Sequence, residues 1–493
     1  MNITQQISSE IAQVLMGNTT YESYDERWRF MLESYLGGLE YRQSGHLTRY
    51  QLESDVEYRA RLLATPLVNH CSSVINVYNS FLFRTLPTRD YGTLAGMPEL
   101  MDFIEDADFE GRNLNQFMKD VHTWSSVFGH SWIMCVKPNI GSTNRGQDQA
   151  AGVRPYLSLL TPQVVLDWSY TRLPNGAYVL DYFRYIEEIN GSVRVVKTWT
   201  PTTIQTQTVD VSKNVISSDF MDINQLGMIP AVIAYNKRSS YRSIGISDIA
   251  DIADLQRFIY NSMSEVDQSI RMNTHPSLVK TPDTSAGVGA GSLIEMPTDI
   301  DPGLKPYLLS YDGASVDSIY TAIQQAVDDI DKMANTGAVR ATESRKVSGV
   351  AMQTEFELLN ARLSEKADNL ELAEEQIFKL FAMYMDREWT GVIEYPGSFN
   401  IRDTADEITQ LKIARETVLP GSVAASAIDL RVLEWLDISD EEMALIVIEP
   451  HIMQSPQGEL RAVTTQAQHQ ELSALGWIEY NGNQGESDGV PQS

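Results

Sequence analysis

The sequence predicts an α+β fold with more than one core, and three observations predict it. Helical and strand-like apolar patterns alternate through the first 240 or so residues. Two amphipathic helical patterns then flank an insertion rich in Pro and Gly. A further helical pattern, free of both residues, runs from about Val350 to Trp389. Length agrees: 493 residues exceed the roughly 250–300 at which single cores stop growing.

The elements follow in order. "YESYDERWRFMLESYLGG" reads as an amphipathic helix closed by glycine, and "RARLLATPLVNHCSSVINVYNSFLF" as a helix pair broken near Pro66. "LNQFMKDVHTWSSVFGHSWIMCVKP" starts as a helix and turns at Gly129 into a strand. Short strands with turns between them occupy "RPYLSLLTP", "GAYVLDYFRYIEEINGSVRVVKTWTP" and "TTIQTQTVDV", with a hairpin signal at Asn190-Gly191.

From Ser247, apolar residues at Ile252, Leu255, Ile259, Met263, Val266 and Ile270 form one helical stripe. Ser247 suits the N-cap, Asp248, Asp251 and Asp254 the positive end of the dipole, and Pro276 the stop. The insertion carries short strand-like pieces. A second helix follows, with Ile319, Ile323, Ala326, Ile330 and Met333 on one face and Gly337 near its C-terminal cap. Between it and the long pattern lies "TGAVRATESRKVSG", with three basic residues against one acid. The long pattern spans roughly 60 Å if helical throughout. A strand-like "GVIEYPGSFNIRD" comes next, then helical segments over 404–470 and a polar, disordered tail.

Composition narrows the function classes. The chain is 43% hydrophobic and 21% charged, as soluble folded proteins are. No apolar run approaches the roughly 20 residues that span a bilayer, and the first residues carry no signal-peptide pattern, so cytoplasmic synthesis without membrane association is expected. Cys71 and Cys135 sit in apolar patterns and read as buried small hydrophobes. With 66 Asp and Glu against 38 Lys and Arg, the net charge is −28. A surface of that sign repels DNA, which argues against coating or wrapping it.

A search for chemistry leaves little. "AGVGAGS" at 286–292 lacks the Lys-Ser/Thr and the helix start of a phosphate loop, and reads as a turn. The seven histidines share no metal-site spacing. "FGHSW" lacks the nucleophile-elbow glycines, so Ser131 begins a strand. Paired carboxylates such as Asp328-Asp329 and Glu374-Glu375 read as solvated helix faces. No enzyme and no cofactor emerge. The basic segment itself admits two readings, a solvated loop and a contact with something more negative than the protein.

Several stretches resemble the portal proteins of tailed bacteriophages: "VFGHSWIMCVKP", "RPYLSLLTPQVVLDWS", "IPAVIAYNKRSSYRSIGISDIADIADLQRFIYN", "SRKVSGVAMQTEFELLNARLSEKADNLE" and "FNIRDTADEITQLKIARETVLPGSVAAS". The order is the specific part: sheet domain, helix, small insert, helix, basic loop, very long helix. The resemblance implies a wing at 1–245, stem helices at 246–275 and 315–335, a clip at 276–314 and a tunnel loop at 336–348. A long helix and wing strand at 349–403, a helical crown at 404–480 and a tail at 481–493 complete it. It further implies a homododecameric ring in the virion, at the capsid portal vertex, built in the host cytoplasm. Double-stranded DNA passes without sequence readout, and terminase large subunit, tail adaptor, major capsid and scaffolding proteins are partners. Arg340, Arg345 and Lys346 are then expected to face the DNA. Other readings are a minor head protein or adaptor, and a phosphate-ligand enzyme using the glycine-rich turn.

Overall fold

The computed structural model describes residues 9–141, 145–274, 277–282, 284–286, 294–296, 298–299, 301–309, 314–340, 349–399 and 412–415. It also describes 447–456, 460–465, 469, 472–473 and 475–479. The chain divides into two compact units, Met1–Asn400 and Ile401–Ser493.

In the first unit, α1 (Ser9–Leu15), α2 (Thr19–Leu36), α3 (Gly38–Gln43), α4 (Asp55–Ala64) and α5 (His70–Leu82) open the chain. Asn18 caps α2 and Gly37, at φ +65°, closes it, while Ser54 and Glu57 form a capping box on α4. The helix pair breaks around Pro66 as expected. After β1 (Thr88–Asp90) come α6 (Pro98–Glu105) and α7 (Leu114–Phe128), which ends at left-handed Gly129 and leads into β2 (His130–Val136). Past α8 (Arg145–Ala150), β3 (Tyr156–Leu160), β4 (Val165–Arg172), β5 (Tyr178–Asn190), β6 (Val193–Trp199), β7 (Thr203–Asp210), β8 (Val215–Ile223) and β9 (Ala231–Tyr235) build two antiparallel sheets. One has the order β3-β2-β9, the other β4-β5-β6-β7-β8. Asn190 pairs with Val193, so Gly191 and Ser192 form the turn, Gly191 at φ +56°.

β2 is buried along its whole length because α7 and the long helix cover it. Cys71 and Cys135 are buried and unpaired, and burial pushes the Cys135 thiol up to about 12. His130 is a core histidine. The Gly245 N–H donates to its Nδ1, so Nε2 carries the proton and meets the Tyr21 hydroxyl at 2.7 Å. That hydroxyl also accepts from Trp132 Nε1 and donates to the Ser243 carbonyl. Burial pushes the His130 pKa down to about 3, which keeps the ring neutral.

The two stem candidates are α9 (Ile252–Thr274) and α10 (Ala314–Ala334). α9 starts at Ile252, four residues later than an N-cap at Ser247 would set it. The Ser126 carbonyl accepts from both the Ser247 hydroxyl and the Asp248 N–H, holding 247–251 in turns. Asn335 at φ +55°, rather than Gly337, closes α10, and Thr336 N–H donates to the Asp331 carbonyl. Gly337 instead begins the single turn α11 (Gly337–Arg340). Between α9 and α10, β10 (Ser277–Val279), β11 (Ser285–Ala286), β12 (Ile294–Glu295) and β13 (Tyr307–Leu309) form two small antiparallel pairs, β10-β13 and β11-β12. Thr284 is the only buried residue among those described there. The glycine run at 287–292 lies outside the described residues.

α12 (Gly349–Tyr384) has 36 residues and ends five short of Trp389. Leu359, Leu363, Leu370, Ile377 and Leu380 are buried as their spacing predicts. β14 (Val392–Glu394) then pairs with β1.

In the second unit, residues 412–415 form a helical turn, but β15 (Val447–Gln454), β16 (Leu460–Thr465) and β17 (Ile478–Glu479) form a three-stranded antiparallel sheet. The all-helical expectation for 404–480 fails there. Pro450 cannot lie inside a helix, and it falls where the β15–β16 register shifts, between Val447 and His451.

One close approach positions the loop between β9 and α9. A Cβ on Gly245 would lie 1.8 Å from the Gly129 carbonyl oxygen, and Gly129 itself has φ +91°. Gly129→Ala is expected to cost at least about 1–3 kcal/mol from backbone conformation alone, with a further loss from the clash. Thermal denaturation checks this; an unchanged Tm contradicts it.

Candidate functional site: the basic segment and the ionic clusters behind it

The basic segment begins where α10 ends. Of its three cations, Arg340 is described, and Arg345 and Lys346 lie outside the described residues. Arg340 closes α11, with its N–H donating to the Thr336 carbonyl. Its guanidinium turns back into the protein. Nη1 donates to Asp331 Oδ1 on α10 at 2.7 Å, and Nη2 lies 2.9 Å from His70 Nδ1 at the start of α5. The pair is largely buried, at 13% and 8% side-chain exposure. Burial, then the Arg340 charge, pushes the His70 pKa down to about 4. A neutral His70 can accept through Nδ1, which suits a guanidinium donor.

A second cluster fixes α12 behind the segment. Lys366 is buried on the α12 face toward β9 and α7. Its ammonium donates to Asp248 Oδ2 at 2.5 Å, to Asn236 Oδ1 and to Ser126 Oγ. Arg362, one turn earlier, donates to Asp248 Oδ1 at 3.0 Å and to the Met333 carbonyl at 2.7 Å. The Tyr78 hydroxyl donates to the next carbonyl, that of Ala334. Two carbonyls that α10 leaves without helical partners are thereby satisfied, one from α12 and one from α5. Burial alone would raise the Asp248 pKa, but the Lys366 and Arg362 charges overcome it and hold the carboxyl well below its usual range. Burial lowers the Lys366 pKa, and Asp248 opposes that.

The network extends through Ser126 to His122 and on to Asn79 and Thr123. Burial, then the Lys366 charge, keeps His122 neutral. An open cleft of about 340 Å³ lies over it, lined in part by Asn236, Lys237, Asn335 and Arg362.

A third cluster corrects the reading of Glu374 as a solvated carboxylate. Its side chain is fully buried. Arg89 Nε and Nη2 donate to its two oxygens, and the Tyr395 hydroxyl donates to Oε2 at 2.6 Å. Glu375, its neighbour, pairs with Lys379 at the surface. The Glu374 cluster ties the β1 and 390–399 segments to α12. Nothing in the amphipathic spacing signals it, because Glu374 falls beside the apolar stripe. Asp248 likewise reads as a helix-dipole acid until Lys366 is seen opposite. The one available hint is a lysine at a position that the α12 rhythm assigns to the interior.

Each cluster joins separate secondary-structure elements. Among the described residues, no three His, Cys, Asp or Glu are arranged to hold a metal ion. The chain matches the family described as "Phage portal protein, SPP1 Gp6-like" over residues 35–419, and it belongs to that family, which is structural. No curated protein matches it. Among solved structures, it is similar to a chain in the neck of an empty GTA particle computed with C6 symmetry, at 10% identity. The match covers 81% of this chain and 98% of that one, with a TM-score of 0.43. A chain in the virion of a native gene transfer agent particle matches at 11% identity over 81% and 98%, with a TM-score of 0.42. Likenesses this distant carry no functional weight.

Two outcomes test the clusters. Lys366→Ala leaves Asp248 buried beside a single remaining cation and should cost about 3–5 kcal/mol. Adding Asp248→Ala should cost less than the sum of the two single changes, read from urea midpoints. The His70 pKa is depressed in the folded state, so its contribution is fully present above the unfolded value near about 6.5 and is lost as pH falls toward 4. The stability gap between the native protein and His70→Asn should therefore narrow across that window; a constant gap contradicts the assignment.

Proposed function

We propose that the chain assembles as a homododecameric ring at one capsid vertex, through which double-stranded DNA is packaged and ejected. In this reading α9 and α10 are the stem, the β10–β13 insertion is the clip, and the ring docks terminase large subunit and the tail adaptor. Capsid and scaffolding proteins surround it in the virion, after assembly in the host cytoplasm. The ATPase resides on the terminase, so this chain needs no nucleotide site.

Family membership supports this reading, and the insertion carries it furthest. Two two-stranded pairs with one buried residue among those described cannot form a stable unit alone. Neighbouring copies would supply the missing burial. Phe258 and Ile270 on α9, Tyr320 and Met333 on α10, and Leu358 and Leu372 on α12 are exposed large hydrophobics that a ring would also cover.

The charge distribution suits passage of DNA. An acidic wall repels the duplex over about one Debye length, roughly 8–10 Å, whereas a uniformly basic one would bind phosphates and act as a brake. We assign the backbone contact to Arg345 and Lys346. Arg340, already neutralised by Asp331, anchors the segment at its first turn.

Electron microscopy of the purified protein should show rings of twelve or nearly twelve lobes around a hole. Replacing Arg345 and Lys346 with Ala should leave those rings intact and change DNA retention or packaging. A monomer or dimer across salt and protein concentration would sink the ring, and loss of rings in the double variant would place these cations at an interface.

A further inference from the structure

The chain has 66 acids and 38 bases, yet three arginines gather at the β4–β5 hairpin and the β9–α9 loop with no carboxylate paired to any of them among the described residues. The Arg242 guanidinium carbon lies 3.5 Å from the Tyr178 ring centroid and 5.2 Å from that of Tyr170. Arg172 approaches the same Tyr178 ring at 5.6 Å, and Arg238 stacks over Tyr235 at 5.0 Å. All three are exposed, and among the described residues none forms an ion pair. The hairpin's own carboxylate, Asp181, is held by Ser169 and Thr171. Strand alternation sets those residues on the face opposite Tyr170, Arg172 and Tyr178.

The patch is held in place. The backbones of Arg238 and Gly245 pair in an isolated antiparallel bridge, and the Ser239 hydroxyl donates to the Ile244 carbonyl. The Ser243 N–H donates to the Tyr235 hydroxyl, and Ser243 Oγ lies 3.0 Å from that of Tyr170. Stacking on a tyrosine face fixes a guanidinium plane and leaves its N–H edge open to an anion. Little side-chain entropy then remains to be lost on binding.

The surroundings favour a protein surface over a phosphate backbone. Tyr178 and Tyr241 are 49% and 65% exposed, and Ile246 adds apolar area on the same loop. Arg and Tyr are enriched at protein interfaces. Copies of a chain with net charge −28 repel one another unless cations of one meet carboxylates of the next, and every copy has carboxylates in excess. We propose that the Arg172–Arg238–Arg242 patch is an intersubunit contact that receives a carboxylate-rich face of a second copy of this chain, an inference that rests on the ring reading above. The contact is heterologous, one face meeting a different face, as ring closure requires.

The test compares the native chain with R172E/R242E and R172Q/R242Q by analytical ultracentrifugation and electron microscopy over a concentration series. The charge reversal should raise the protein concentration needed for rings by about ten-fold or more at low salt. The neutral variant should fall between, and the gap should shrink in high salt. Arg172 and Arg242 are both exposed, so the Tm of each variant should stay near the native value, which separates an assembly defect from misfolding. Native rings with unchanged assembly in both variants would overturn the patch while leaving the ring reading standing. A native chain that never forms rings would overturn both. Rings that assemble normally in R172E/R242E but lose affinity for duplex DNA, measured by fluorescence anisotropy, would make the patch a nucleic-acid site and overturn the proposal as stated.

Discussion

The structure of the first unit depends on one buried ammonium. Lys366 is buried within α12, the longest helix among the described residues, where an unpaired charge would not be tolerated. Asp248, Asn236 and Ser126 come from the α9 foot, the end of β9 and the end of α7, and they converge on it. Once that pair forms, α12 can take only one register along the sheet, because a one-residue shift would strand Lys366 among apolar side chains. Arg362 extends the constraint. By bonding both Asp248 and the Met333 carbonyl, it refers the end of α10 to the start of α9. Both helices that border the insertion are thus set from one point.

Buried ion pairs are weak evidence for stability, since desolvation offsets much of the Coulomb gain. Their value here lies in specificity. Three such clusters, around Asp248, Glu374 and Asp331, each join α12 or α10 to a segment distant in sequence. Apolar stripes on long helices slide at modest cost; paired charges do not. Such pairs therefore select one arrangement of α9, α10 and α12 more than they add stability.

The same accounting of cations orders the basic residues by role. Arg89, Arg340, Arg362 and Lys366 are consumed inside the subunit. Arg172, Arg238 and Arg242 lie over tyrosine faces and, among the described residues, form no ion pair. In a strongly acidic protein the unpaired cations are the informative ones, and their location could be read only after the paired ones had been assigned.

Local elements were legible in the chain itself. The glycine closing α2, the Gly129 turn from α7 into β2, the helix–insert–helix order and the apolar rhythm of α12 all follow from spacing and backbone chemistry, which act over a few residues. The family resemblance was legible for the same reason, since it rests on the order of such elements. What spacing could not show were the partners of Asp248, Glu374 and Arg340: Lys366, Arg89 and His70 lie more than a hundred residues away, Tyr395 lies beyond the end of α12, and Asp331 lies across a helix turn whose closure falls at Asn335 rather than Gly337. The strands at 447–454 and 460–465 were missed although Pro450 argues against a helix interior there; which strands they pair with shows only in the fold. The sequence by itself determined most of the helices and strands of the first unit and their order, because propensity and periodicity are local. Only the tertiary structure decided which charges are neutralised and which remain free, because desolvation and pairing exist only once distant segments meet.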